Sequence, residues 1–311
     1  MHKAIITGAN GFIGSALVQE LLKKNISVVA IDRDGCQNNI PQNEKIQFFP
    51  CDLDNIFSLS EQLIEEKIDC FYHLAWRGVS GSDRSNIKVQ IKNVEWTLNA
   101  LHFAGKIGCQ KFVCAGTIME DEILAACSVP GSRPGMGYIY GGGKIATHTM
   151  GQTVAASLGI DFICAKLTNA YGPGENSPRL INSTLRKIRN GEPLQFTSGT
   201  QNYDFVYITD VARALYLIGE KGKPFSEYLI GSFHAQPLRN FLLELKAAIA
   251  PDREFVFGDV PYTGVNLPLS TFDCEKTLQD TGFYPSVSFS EGIQRTYQWI
   301  CTENEKVETI S

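Results

Sequence analysis

The chain has 311 residues, and at roughly 150 residues per domain this length predicts two domains. Hydrophobic residues make up 43% and charged residues 20%, which is ordinary globular usage and excludes a disordered, collagenous or coiled-coil chain. The net charge of −5 leaves no basic surface for nucleic acid or anionic lipid. No apolar run approaches the roughly 18 residues of a membrane span, so we expect a soluble protein without a signal peptide.

Cysteine and histidine usage indicates the compartment and argues against a metal centre. The nine cysteines contain no C-x-x-C pair, and an odd number cannot close into a full disulfide framework. A reducing cytoplasm fits this usage best. The five histidines show no metal-ligand spacing, so we expect no metal site.

Short apolar runs alternate with segments of helical spacing in the first half of the chain. These runs cover residues 4–7, 27–31, 46–50, 69–74, 111–115 and 161–167. They are apolar at successive positions, as expected of parallel strands that are buried on both faces. Parallel strands need crossover helices, so the pattern predicts a doubly wound α/β fold.

The rhythm breaks after residue 167, where turn-forming residues fill positions 169–178. We therefore place a domain boundary near residue 170. Residues 204–208 again predict a buried strand, with Asp210 as a helix cap, so residues 202–232 are expected to return to the first domain. A smaller, discontinuous second domain would comprise residues 171–201 and 233–301, and the polar tail 302–311 is expected to fray.

The first candidate site is the G-x-x-G-x-x-G string from Thr7 to Gly14, which follows a predicted strand and opens a predicted helix. Such glycines allow the backbone to approach a pyrophosphate, and the helix N-terminus supplies free amides to the anion. Asp32 ends the next strand and suits an adenosine ribose, which favours NAD over NADP. Arg33 leaves NADP as the less favoured alternative, since an arginine there could clamp its additional phosphate.

The second candidate site contains Tyr140 and Lys144, which share one helix face at i and i+4. An ammonium near the phenol favours the phenolate, and the tyrosine then becomes a usable acid/base. Chance also produces this spacing, but its position is informative. The pair follows a glycine- and proline-rich loop over 130–137, and Thr117 ends the preceding strand. All three residues are therefore predicted to face the crevice at the strand ends.

Together these residues resemble the extended short-chain dehydrogenase/reductase family, in its nucleotide-sugar epimerase/dehydratase branch. The resemblance runs from Lys3 to about Ile300. Its motifs comprise Thr7 to Gly14, Asp32, Cys51 to Leu53, His73 to Ala75, Asn93, Thr117, Tyr140, Lys144, Asn169 to Gly174 and Asp204 to Ala212. The implied architecture is a Rossmann sheet with a smaller C-terminal substrate-binding α/β domain.

The resemblance also implies roles for individual residues. Tyr140 would be the acid/base, Lys144 would hold the nicotinamide ribose, and Thr117 would hydrogen-bond a sugar hydroxyl. Asn93 would position the lysine through water, and Asn169 would approach the substrate diphosphate. The implied cofactor contacts are Gly8, Asn10, Gly11, Phe12, Ile13, Gly14, Asp32, Arg33, Asp52, Leu53, Leu74, Ala75, Trp76, Asn93, Tyr140 and Lys144. The implied substrate contacts are Thr117, Met119, Tyr140, Asn169, Arg179 and Tyr203.

Three departures from the family pattern bear on function. Ile118 and Met119 replace the Asp-Glu pair of the 4,6-dehydratases, which argues against dehydration; the acidic residues 120–122 that follow are interpreted as a solvated turn. Tyr203 replaces an arginine that often binds the diphosphate, so Arg179, Arg186 or Arg239 would have to substitute. Three glycines between Tyr140 and Lys144 weaken a helix, which close approach of cofactor or substrate to the backbone could offset.

The resemblance therefore implies an NAD-dependent enzyme acting on a nucleoside diphosphate sugar, with 4-epimerisation favoured. An NAD(P)H-dependent reductase of nucleotide 4-keto-6-deoxysugars is the alternative, and a non-catalytic dinucleotide sensor is the alternative from another class. The family pairs the helices predicted over 87–105 and 140–158 across a two-fold axis, so a homodimer is expected.

Overall fold

A seven-stranded parallel sheet forms the centre of the protein, whose computed structural model describes residues 1–131 and 134–308. Its strands are β1 (Lys3–Thr7), β2 (Ser27–Asp32), β3 (Ile46–Pro50), β4 (Cys70–His73), β5 (Lys111–Thr117), β6 (Asp161–Leu167) and β11 (Glu227–Ile230). They lie in the order β11-β6-β5-β4-β1-β2-β3. The doubly wound α/β fold and the six predicted strands are thus confirmed. The seventh strand, β11, was not predicted, because its apolar run is short.

Helices cover both faces of this sheet. They are α1 (Phe12–Lys23), α2 (Ser60–Leu63), α3 (Ile87–Lys106), α4 (Met119–Ser128), α5 (Tyr138–Leu158) and α7 (Ile208–Lys221). Successive strand residues alternate between two cores: Val28 and Ala30 pack on the side of α1 and α7, whereas Val29 and Ile31 pack on the side of α3. This two-sided burial explains why the inner strands are apolar at successive positions. The edge strand β3 is only partly buried, and its Gln47 is exposed.

The remaining elements build the smaller part of the molecule. Its helices are α6 (Leu180–Arg189), α8 (Leu238–Ile249), α9 (Glu275–Thr281) and α10 (Phe289–Glu308). Three two-stranded sheets pair β7 (Asn169–Tyr171) with β10 (Phe205–Tyr207), β8 (Gln195–Phe196) with β13 (Val256–Phe257), and β9 (Asn202–Tyr203) with β12 (Gln236–Pro237). The predicted strand at 204–208 therefore pairs with β7, and the chain rejoins the central sheet only at β11.

Two further details differ from the expectations. Asp210 does not cap a helix: it lies inside α7 and accepts hydrogen bonds from the backbone amides of Ser286 and Val287. The tail expected to fray from Thr302 begins as the last turns of α10, and residues 309–311 lie outside the described residues. Among the described helices, none combines the length and apolar composition that a membrane span needs.

Candidate active site

The glycine string forms a tight turn between β1 and α1 at the carboxyl edge of the sheet. Gly8 has a φ of +72°, and a Cβ atom there would lie 2.8 Å from the Cα of Ala75. A Cβ on Gly14 would lie 2.0 Å from the carbonyl oxygen of Gly8. Gly11 precedes α1 and has no side chain to cap it, so the first helical amides can bind an anion.

Asp32 faces this turn from the end of β2. One carboxylate oxygen accepts the amide of Asn10 at 2.9 Å, and the other accepts the amide of Arg33 at 2.8 Å. Each oxygen keeps a second lone pair, which can accept a ribose hydroxyl. The Arg33 side chain is exposed at the same rim. The spatial relation between glycine turn and carboxylate is thus the one that the motif predicts.

A cavity of about 420 Å³ opens beside the glycine turn and Asp32. The predicted residues that line it are Gly8, Asn10, Gly11, Asp32, Arg33, Asp52, Leu53, Leu74, Ala75 and Trp76. Sequence reasoning missed Cys36, Cys51, Arg77, Gly78 and Trp96. Cys51 opens the Cys51 to Leu53 motif but was not among the predicted contacts. The other four lie in loops or on a helix flank, where no motif distinguishes them. Six predicted cofactor contacts are outside its lining: Phe12, Ile13, Gly14, Asn93, Tyr140 and Lys144.

Two of the predicted cofactor residues also have structural partners. Asp52 accepts the amide of Asp54 at 3.0 Å and caps the 3₁₀ helix Leu53–Leu59. Asn93 accepts the amide of Arg77 at 2.9 Å and donates to the Arg77 carbonyl at 2.8 Å. Asn93 therefore holds the loop that follows β4, and its proposed action on the lysine through water stays a prediction.

Thr117, Tyr140 and Lys144 lie beyond Trp76, at the ends of β5 and α5. Thr117 is 8% exposed, and the other two are 6% exposed. The ammonium of Lys144 donates to the carbonyl of Ala115 at 2.7 Å, two residues before Thr117. Trp76 contacts both helix residues, because its ring lies edge-on to Tyr140 and beneath the Lys144 ammonium. Trp76 in the cavity wall thus contacts two residues of α5, and one of them, Lys144, bonds the end of β5.

Arg84 is a site residue that sequence reasoning missed. Its guanidinium carbon lies 4.4 Å from the centre of the Tyr140 ring, and it donates to the carbonyl of Val79 at 2.7 Å. Burial lowers the pKa of Arg84, the charge of Tyr140 opposes this, and repulsion by Arg179 lowers it further. Its position in the loop after β4 is the only signal that the sequence offered. Two cations, Arg84 and Arg179, thus act on one another near Tyr140.

The other predicted substrate residues make separate contacts within the protein. Asn169 donates its amide to the carbonyl of Asp204 at 3.0 Å, and Tyr203 stacks on Phe205. Burial raises the pKa of Tyr203, so its hydroxyl is neutral. The backbone amide of Met119 donates to the hydroxyl of Thr117 at 3.3 Å.

The three candidates for the missing diphosphate cation differ in their partners. Arg179 pairs with Glu175 at 3.4 Å and lies within electrostatic reach of Arg84. Arg186 donates to the carbonyl of Glu175, and Arg239 stacks on Phe257 at 4.2 Å. Of the three, Arg179 is the one whose charge acts on Arg84, the residue above the Tyr140 ring.

Helix packing explains one of the three glycines between Tyr140 and Lys144. A Cβ on Gly141 would lie 2.1 Å from the Cδ1 atom of Ile123 in α4, and one on Gly143 would lie 3.4 Å from the Trp76 ring. Gly142 is exposed, and a Cβ there would meet nothing within 4 Å. The close approach at Gly141 is therefore made by this chain's own α4. A Cβ at Gly143 would make only ordinary contacts, and nothing in the structure explains Gly142 or Gly143.

Comparison with known proteins places this geometry in context. The sequence profile of the NAD dependent epimerase/dehydratase family matches residues 4–231. The CDP-abequose synthase of Salmonella typhimurium is 28% identical over 297 residues, covering 93% of this chain and 95% of that protein. The dTDP-4-dehydro-6-deoxyglucose reductase of Escherichia coli is 24% identical, covering 94% and 95% of the respective chains.

Solved structures share the fold over nearly the whole chain. The UDP-glucuronic acid 4-epimerase of Bacillus cereus, solved in complex with UDP-glucuronic acid and NAD, superposes with a TM-score of 0.79 at 24% identity. The superposition covers 97% of this chain and 99% of that one.

Proposed function

Because the chain belongs to the NAD dependent epimerase/dehydratase family, we propose that it binds NAD and oxidises or reduces the C4 position of a nucleoside diphosphate sugar. The observation that carries the proposal is that Trp76, which lines the cavity together with Asp32, contacts both Tyr140 and Lys144. Lys144 also bonds the strand that ends at Thr117. The NAD and UDP-sugar bound to the Bacillus cereus relative support the same choice of ligands.

The residues of the cavity fit a dinucleotide. Side chains at Gly8 and Gly14 would collide with backbone, so the turn offers bare backbone amides to a pyrophosphate. Asp32 offers free carboxylate lone pairs to the hydroxyls of an adenosine ribose. When bound, NAD would supply the hydride acceptor or donor. Lys144 has three donors and gives one to Ala115, which leaves two for ribose hydroxyls.

Tyr140 and Thr117 would manage the proton at the sugar hydroxyl. The Tyr140 oxygen takes the proton when C4 is oxidised and returns it when the ketone is reduced. The Thr117 oxygen already accepts the Met119 amide, so its own hydrogen can be donated to the sugar oxygen. Lys144 contacts the same Trp76 ring as Tyr140 and brings a positive charge to this side of the site. Arg84, above the Tyr140 ring, adds a second cation.

The net reaction favoured here is 4-epimerisation, in which the ketosugar turns before it is reduced on its other face. Dehydration is disfavoured, because Ile118 and Met119 carry no acid or base at the positions after Thr117. Reduction of a 4-ketosugar is the second candidate. The similarity of this chain to a dTDP-4-dehydro-6-deoxyglucose reductase of Escherichia coli supports this second candidate.

A panel of UDP-, CDP- and dTDP-hexoses tests the proposal, with product configuration followed by NMR. An epimerase inverts C4 with no added cofactor, whereas a reductase consumes NADH only with a 4-ketosugar. Tyr140→Phe should lower turnover by about 10²–10⁴ while NADH binding remains. Tyr138→Phe is the matched control, because it removes a phenol hydroxyl from the tyrosine two residues before Tyr140. Loss of turnover in Tyr138→Phe instead would contradict the assignment.

A further inference from the structure

A network of charged side chains, buried at Glu120 and Lys166, lies directly behind Thr117. Glu120 is 3% exposed and Lys166 is 5% exposed. Lys166 pairs with Asp121 at 3.1 Å and with Glu227 at 2.7 Å, while His148 lies 3.2 Å from Glu120. The acidic stretch 120–122 is therefore not the solvated turn expected from the sequence. It opens α4, and its first carboxylate points into the protein.

Glu120 contacts the backbone of Thr117. One carboxylate oxygen accepts the amide of Thr117 at 2.8 Å, and the other lies 3.2 Å from Nδ1 of His148. Burial raises the pKa of Glu120, but these two hydrogen bonds and the charge of Lys166 outweigh it, so the pKa lies below its usual value. Glu120 is thus a carboxylate at neutral pH, with both oxygens engaged.

Gly116 makes room for this contact. A Cβ at Gly116 would lie 2.9 Å from a carboxylate oxygen of Glu120 and 2.7 Å from the sulfur of Cys164. A side chain at the residue before Thr117 would therefore push Glu120 away from the amide it holds. The contact between Glu120 and the Thr117 amide therefore depends on glycine at position 116.

The same cluster contains potential metal ligands, since atoms of Glu120, His148 and Cys164 lie within 4.8 Å of one another. A metal ion would share the Glu120 carboxylate with the Thr117 amide and His148, which already contact its two oxygens. It would also lie near the ammonium of Lys166, which already neutralises the acidic groups. Burial keeps the pKa of the Cys164 thiol well above its usual value. Internal support of Thr117 accounts for these contacts better than a metal site does.

We propose that Glu120 is a positioning residue that holds the Thr117 hydroxyl in its working orientation. The Thr117 amide bonds to Glu120, and the Thr117 oxygen accepts the Met119 amide, so backbone and side chain are both held. His148 in turn holds the second oxygen of Glu120. The consequence for turnover rests on the function proposed above, whereas the consequence for the Thr117 amide does not.

The structural arm of the test uses the backbone amide of Thr117. In ¹H–¹⁵N NMR, the amide proton should resonate downfield in the wild type and move upfield in Glu120→Leu, with a smaller shift in Glu120→Gln. Asp121→Asn is the matched control, because Asp121 bonds Lys166 in the same network without touching Thr117. An unmoved Thr117 amide in Glu120→Leu would overturn the proposal, even if no substrate is found.

The functional arm measures kcat and KM on the nucleotide sugar that the wild type converts. Glu120→Leu should lower kcat about tenfold or more, because the Thr117 amide loses one charge-assisted hydrogen bond. KM and NADH binding should change little, and Glu120→Gln should recover part of the loss. His148→Asn, which keeps a donor near the Nδ1 position, should outperform His148→Phe.

A double-mutant cycle with Thr117→Val separates positioning from general destabilisation. If Glu120 acts through the Thr117 hydroxyl, adding Glu120→Leu to Thr117→Val should cost no further activity. Additive losses, or equal kcat values in Glu120→Leu and Asp121→Asn, would overturn the proposal. Absence of wild-type turnover on every sugar would instead contradict the proposed function, and the NMR arm would still decide the role of Glu120.

Discussion

The ammonium of Lys144 lies 3.7 Å from the centre of the Trp76 ring. The indole nitrogen of Trp76 donates to the side-chain oxygen of Gln90 at 2.8 Å, which fixes the ring against α3. A cation over an indole face is stabilised by about 0.5–2 kcal/mol. Trp76 therefore forms the cavity wall and also orients the lysine expected to bind the cofactor.

Replacing Trp76 should weaken NADH binding through Lys144. In Trp76→Leu we expect a loss of about 0.5–2 kcal/mol, or about 2- to 30-fold in Kd, because the cation loses its aromatic face. Trp76→Phe should lose less. NADH titration by calorimetry measures the change. Trp299→Phe, in α10 and outside the cavity lining, is the control, and wild-type affinity in Trp76→Leu would refute this role.

Asp32 should select NAD over NADP. Asp32→Ala removes a partner of the ribose 2′-hydroxyl and also an anion that repels a 2′-phosphate, so NAD affinity should fall far more than NADP affinity. Hydrogen bonds to charged groups contribute about 1.5–3 kcal/mol, which corresponds to about 10- to 100-fold for NAD. Asp32→Asn retains an acceptor for the Asn10 amide and controls for collapse of the turn. Equal losses for both cofactors would exclude this role.

His73 should make stability fall in mild acid. It is buried between the hydroxyls of Thr7 at 2.8 Å and Thr97 at 3.0 Å, and burial, with the charge of Lys144, lowers its pKa to about 3. The unfolded chain takes up a proton near pH 6.5, whereas the folded protein resists protonation down to about pH 3. Stability is therefore present above about pH 6.5 and is lost as pH falls.

Between about pH 7.5 and pH 5 this linkage should lower the free energy of unfolding by about 2 kcal/mol. Urea unfolding at each pH measures it. His73→Gln cannot take up a proton in this range and should show a correspondingly shallower pH dependence. Identical slopes for the two proteins would mean that other groups cause the acid sensitivity.

Two glycines of α5 should respond oppositely to alanine. Gly142 is exposed with open space around it, so Gly142→Ala should raise the free energy of unfolding by up to about 1 kcal/mol through helix propensity. Gly151 is buried, and a Cβ there would lie 2.9 Å from the Phe162 ring, so Gly151→Ala should destabilise by about 1–3 kcal/mol. Thermal unfolding of the pair tests this, and a stabilised Gly151→Ala protein would contradict the packing.

Assembly as a two-fold homodimer remains a prediction, and the outer face of α3 suits it. Ile87 and Ile91, one turn apart, are 54% and 63% exposed, and Met150 of α5 is 48% exposed. Light scattering at micromolar concentration should give twice the chain mass, and Ile91→Glu should shift it toward the monomer. Lys88→Glu, on the same helix, controls for added charge. A wild-type monomer would exclude the dimer.

The sequence by itself determined the elements whose signals are local. The buried strands from β1 to β6 were readable because both faces are covered, and Gly8, Gly14 and Asp32 were readable because a pyrophosphate turn restricts residue type along a short stretch. The spacing of Tyr140 and Lys144 likewise follows from one helical turn.

Contacts between distant segments were decided only by the tertiary structure. Arg84 reaches Tyr140 across 56 positions, and Glu120 reaches His148 across 28, with no periodicity to signal either contact. The glycine at 141 suggested close approach of a ligand, but Ile123 of α4 occupies that space. The acidic residues at 120–122 were expected to be solvated because charged side chains usually lie at the surface. Glu120 is nevertheless buried, because Thr117 and His148 supply hydrogen bonds and Lys166 supplies the opposite charge.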